Sequence, residues 1–124
     1  MQPIANLGNY LHIYDFHVEK ENIDEFIRLF NEFDYGGDNP MHKSTAQVKD
    51  GVLVQDVADP THFWLIGEWN DIDKHAQIRK ILANDIKPAF VTLIKGKGFK
   101  PSYAKVVSAT PQTILDAAST RDDT

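Results

Sequence analysis

The chain has no cysteine. That excludes a disulfide framework, a thiolate nucleophile and a cysteine-liganded zinc ribbon, and it makes the cytoplasm the default compartment. Basic residues are outnumbered, 13 Lys and Arg against 18 Asp and Glu, so the formal charge is −5 and the pI near 5.4. A surface of that sign does not track phosphates, and nucleic acid is not an expected partner. No apolar run approaches the roughly 18 residues of a membrane helix. The opening MQPIANLGN has neither a basic nor an apolar signal segment, so a soluble protein without a membrane partner is expected. Absent too are an internal repeat, a Gly-x-Gly-x-x-Gly or Walker loop and a Gly-x-Ser-x-Gly elbow, which leaves nucleotide binding and a hydrolase nucleophile unsupported. The histidines, at 12, 17, 42, 62 and 75, show no His-x-His, His-x-x-His or His-Glu-x-x-His spacing, and no metal site is expected.

What is present is enough for one core: 124 residues, 42% of them apolar. The centre of the pattern is GVLVQDVADPTHFWLIGEW, residues 51–69. Two β-rich runs, Val52–Val57 and His62–Trp69, flank Asp59-Pro60, where fixed φ and a side-chain acceptor suit a reversal, and the stretch reads as a hairpin. Before it, Asn9–Val18 reads as a central strand with both faces covered, because aromatic and aliphatic residues fall on both of its sides. Asn22 and Glu25 have capping-box spacing, and Ile23, Phe26, Ile27, Phe30 and Phe33 form the apolar stripe of a helix that Gly36-Gly37 ends. Asn39-Pro40 can start a further helical piece over Met41–Lys49, stopped by Gly51. After the hairpin, Asn70-Asp71 caps a helix, Asn84-Asp85 a second amphipathic run closed by Gly96 and Gly98, and Pro101–Ala109 reads as the last strand.

The order strand, helix, strand, strand, helix, strand predicts an α+β, ferredoxin-like βαββαβ sandwich with an antiparallel sheet and helices on one face. It occupies one domain, residues 1–110, with a tail over 111–124 whose last hexapeptide, STRDDT, reads as disordered. The second sheet face has nothing in so short a chain to cover it, so a two-fold homodimer is expected.

FHVEKENIDEFIRLF and VLVQDVADPTHFWLIGEWNDIDKHAQI resemble the antibiotic biosynthesis monooxygenase family of dimeric α/β barrels, over roughly residues 10 to 108. The resemblance implies a small protein that oxidises phenolic, quinol-like or polycyclic aromatic molecules with O2 and without a cofactor. Relatives include haem-degrading enzymes, polyketide cyclases and proteins without known activity. The Asn, Trp and His of the haem degraders fall at Tyr14, Ile78 and Pro88, so haem degradation is not expected; the histidine common in the family also falls at Ile78.

Such chemistry needs a base, to form a phenolate or enolate that reduces O2, and a dry, orienting pocket. Candidates for acid–base work are His17, which shares a strand face with Asp15, Glu68, and His75 one turn into the helix after the hairpin. The competing readings are a solvated Asp-x-His pair, a Glu68 bonded to a backbone N–H or a lysine, and a surface His75. Candidate substrate contacts are Tyr14, Phe30, His62, Trp64 and Trp69, the aromatic rings serving as walls or, in the alternative, as plain core and interface. His62, Trp64 and Glu68 share one face of their strand and Trp69 the other; which face meets the helices stays open, because a one-residue register shift exchanges them. A non-oxidative barrel, such as a ligand-binding, stress-response or cyclase-like dimer, is the alternative function.

Overall fold

In the computed structural model, which describes residues 1–97 and 100–118, four strands form one antiparallel sheet. They are β1 (Tyr10–His17), β2 (Gln47–Gln55), β3 (His62–Trp69) and β4 (Ser102–Lys105), in the spatial order β2-β3-β1-β4. Helices α1 (Ile23–Asp34) and α2 (Ile72–Ile81) complete the βαββαβ order. This is the ferredoxin-like α+β arrangement, with β1 central between β3 and β4.

The register settles the question of faces. Tyr10 pairs with Trp69, His12 with Gly67, Tyr14 with Leu65 and Phe16 with Phe63, so these residues share one face. There Tyr14, Phe16, Phe26, Phe30, Phe63 and Phe90 form the buried core with Val18 and Ile94. On α1 the predicted stripe packs down as periodicity requires, Phe26 and Phe30 fully and Ile23, Ile27 and Phe33 in part. Burying one such ring contributes about 1.5–3 kcal/mol. Arg28 on the outer side of the helix bonds Glu25 and Glu32. The opposite sheet face carries Leu11, Ile13, Asp15 and His17 of β1 against Glu68, Ile66, Trp64 and His62 of β3.

Four local expectations are corrected. Asn22 precedes α1 without a side-chain capping bond, because a 3-10 turn over Lys20–Asn22 leads directly into the helix. The helix expected over Met41–Lys49 is one 3-10 turn, Pro40–Lys43, whose start Asn39 caps by accepting from the Met41 N–H at 3.0 Å. Gln47–Gly51 instead extends β2, through register shifts between Gln47 and Lys49 and between Lys49 and Val52. Such bulges break the two-residue period and so hide a strand from pattern reading. Finally, no new α-helix starts at Asn84-Asp85: α2 widens into a π turn over Leu82–Ile86, and Lys87, at φ +50°, stops it before Pro88. A 3-10 turn over Ala89–Leu93 then lays Phe90 on the core.

Helix α3 (Gln112–Ala118) follows β4, within the stretch read as a tail. The hexapeptide expected to be disordered lies outside the described residues, as does Gly98. Among the described residues no helix is long and apolar enough to cross a membrane.

Candidate functional site

Alternation along β1 turns His12 and Tyr14 toward the helices, and two glycines make the room His12 needs. A Cβ on Gly67, its cross-strand partner, would lie 2.6 Å from His12 Nε2, and one on Gly51 would lie 3.4 Å away. Glycine inside a strand marks a close approach of this kind. The imidazole is buried, 4% exposed, and its Nδ1 has no hydrogen-bond partner among the described residues.

The Asp71 carboxylate caps α2 by accepting from the Asp73 and Lys74 N–H groups, which fixes the helix start and aims His75 inward. His75 is fully buried. It stacks on His12 with ring centroids 4.8 Å apart and meets the Trp69 ring edge-to-face at 5.0 Å. Its Nδ1 lies 2.7 Å from the Tyr103 hydroxyl on β4, and its Nε2 lies 3.4 Å from the Tyr14 hydroxyl. The short bond holds the ring; the long one leaves Nε2 as the nitrogen a ligand can engage.

Burial sets the charges. It lowers His12 to about 3, helped by His75, and lowers His75 to about 4, helped by Arg79. Both rings are therefore neutral at pH 7, each with one nitrogen able to accept a proton. Burial raises Tyr14 and Tyr103, which stay protonated phenols. The set is a Tyr–His–Tyr chain beside a second neutral imidazole, buried at Tyr14, His12 and His75 and exposed at Tyr103.

His12, Tyr14 and His75 line one cavity of about 40 Å³ together with the apolar side chains of Phe30, Phe33, Met41, Leu65 and Phe90 and the polar ones of Asp34, Asn39 and Asp50. Water needs roughly 10–15 Å³ on such a measure, so the space is water-sized. That volume does not hold a whole ring system. A larger depression, about 280 Å³, between the N-terminal segment and β4 has Lys105 as its one ionisable lining residue and offers no comparable chemistry.

The predicted site residues divide between the two sheet faces. Tyr14, Phe30 and His75 meet at the cavity, with Trp69 buried against His75 and its indole Nε1 unpartnered among the described residues. His17, His62 and Trp64 lie on the opposite face, so the eight do not form one site. Glu68 also belongs to that face; it is buried, and one carboxylate oxygen accepts from the Asn6 N–H at 2.7 Å and the Asn9 amide at 2.8 Å, a structural tie to the N-terminal segment. His75 occupies the interior where a surface position was the commoner expectation. It sits one turn before Ile78, on the same side of α2. Sequence reasoning left out Tyr103 and did not select His12; the signal for His12 was Gly67 inside a strand run.

Against known proteins, no family model matches the chain, and no curated protein does. Solved structures do match. A candidate antibiotic biosynthesis monooxygenase of Nitrosomonas europaea superposes with a TM-score of 0.61 at 14% identity, over 81% of this chain and 91% of that one. A NIPSNAP family protein of Agrobacterium tumefaciens gives 0.59 at 13%, over 81% and 87%. A structure named antibiotic biosynthesis monooxygenase gives 0.52 at 21%, over 82% and 99%. The chain has the antibiotic-biosynthesis-monooxygenase-like fold.

Proposed function

We propose that the cavity receives the polar edge of a small aromatic or quinol-like molecule, and that His75 Nε2 takes a proton from it so that O2 can oxidise the resulting anion. The observation that carries this reading is the neutral His75 held by Tyr103 at 2.7 Å on a cavity wall beside Tyr14 and His12. For a substrate with an activated methylene flanked by phenolic rings, the steps balance: one methylene and one O2 give one ketone carbonyl and one water. His75 accepts the first proton, the anion formed beside it favouring the imidazolium that burial alone disfavours, and the carbanion passes one electron to O2. The two radicals join as a peroxide anion, which takes the proton back from His75 as a hydroperoxide and then loses water to leave the carbonyl. Tyr103 holds the imidazole and a Tyr14 or His12 group hydrogen-bonds the developing oxyanion. The reading requires no resident cofactor. It is supported by the fold likeness to structures named as such monooxygenases.

We further propose that two copies pair through the open sheet face. Val52 and Val54 there are 59% and 38% exposed, beside Ile13, Trp64 and Ile66. An apolar sheet surface of that kind is covered in a stable protein.

The alternative, a non-oxidative ligand-binding or cyclase-like dimer, is favoured by the small size of the cavity. Aerobic and argon-flushed incubations with a panel of hydroxylated anthrones and quinols separate the two. Products that carry one oxygen from O2 support the oxygenase; identical products in both atmospheres support the alternative.

A further inference from the structure

The sheet register brings together side chains that sequence spacing kept apart. His17 of β1 and His62 of β3 are direct cross-strand partners at the last pair of the ladder. Their rings lie parallel, with centroids 4.3 Å apart and 2° between planes. Asp15, two residues before His17 and on the same face, reaches both: its Oδ1 is 3.3 Å from His17 Nε2 and 2.7 Å from His62 Nε2. The three donor atoms all lie within 4.8 Å of one another. Spacing within a single element does not reveal this set, because His62 arrives from another strand.

We propose that Asp15, His17 and His62 bind one divalent transition-metal ion of the kind that imidazole nitrogen and carboxylate oxygen share, zinc being the probe. Two histidines and one carboxylate leave the remaining coordination positions to water. The backing is also in place. Asp56 Oδ2 lies 3.0 Å from His62 Nδ1, while its Oδ1 accepts from the Ala58 N–H at 2.9 Å. A carboxylate on the far nitrogen fixes the tautomer that directs Nε2 at a metal and raises the ring's basicity. The backbone around the site is tied down, with the Val18 N–H donating to Thr61 O and the Asp56 N–H to His62 O, both at 2.9 Å.

Without metal, His62 bridges two carboxylates. Burial alone would lower it, but the bonds to Asp56 and Asp15 prevail and its net shift is upward. The titratable groups facing it are Asp15 and His17 from β1 and Asp56 and Asp59 from the hairpin turn. A metal ion entering the site takes the place of the hydrogen bond between Asp15 and His62. Bound metal ties the end of β1 to the β2–β3 hairpin on the face opposite the cavity.

The test is calorimetric titration of zinc chloride into the EDTA-treated, dialysed full chain at pH 7.5. The proposal expects one zinc per chain. It expects affinity at least tenfold weaker in His17→Ala and in His62→Ala, and unchanged in His42→Ala, which alters a separate group formed by Asp34, His42 and Asp50. Circular dichroism establishes that each variant is folded, and Asp15→Asn replaces any that is not. Absence of zinc binding, zinc bound equally well by the variants, or zinc lost with His42→Ala overturns it. None of these outcomes depends on turnover at His75.

Discussion

His12 and His75 illustrate how burial turns an ordinary imidazole into a pH-dependent element. Unfolded, both take up a proton near pH 6.5; folded, they resist it to about 3 and about 4. Between those values the unfolded state binds more protons, so stability is complete above about pH 6.5 and falls as the pH drops toward 4. The slope reaches roughly 1.4 kcal/mol per pH unit for each ring. Guanidinium unfolding at a series of pH values should show that decline, and His75→Gln should flatten it; an equal slope in the variant would contradict the assignment. Removing the proposed base should also cost turnover about 10²-fold or more, with binding less affected. The sequence identified His75 as a candidate but could not show its burial, since that burial comes from Trp69, His12 and a tyrosine 28 positions further on.

At the level of elements, strands β1 and β3 were legible because β-branched and aromatic residues run through them, and the stripe of α1 because the helical period survives in it unbroken. The start of β2 was not, since two register shifts break its alternation, and the π turn after α2 left its Asn-Asp pair looking like a cap. The glycines of β2 and β3 carry the clearest element-scale consequence. Gly67→Ala places a methyl group against His12 and Gly51, so a loss of about 1–3 kcal/mol in unfolding free energy is predicted. Truncating Glu68 to Ala strips the Asn6 and Asn9 donors of their acceptor and should cost about 1–3 kcal/mol. Turnover in that variant should survive, because Glu68 is off the cavity; a loss of activity without a loss of stability would return Glu68 to the catalytic candidates.

For the molecule as a whole, the two sheet faces separate two kinds of chemistry. The helix side holds a neutral Tyr–His–Tyr chain that reaches the surface at Tyr103, and the open side holds an apolar surface with an Asp–His cluster at its end. Pattern reading anticipated an open apolar face, but it could not assign side chains to faces before the register was known. Pairing through that face predicts sedimentation at twice the 14.0 kDa of one chain, and at 14.0 kDa for a Val52→Glu, Ile66→Lys double variant. A wild-type chain sedimenting alone at micromolar concentration would contradict it.

Whether His75 starts oxidation by O2 in the inner cavity is decided by oxygen uptake against product with the anthrone and quinol panel. At least one activated-methylene substrate should consume one O2 per carbonyl formed, with the rate lost in His75→Ala and retained in His17→Ala. Uptake indistinguishable from that of the buffer across the panel, or a rate unchanged in His75→Ala, would contradict it.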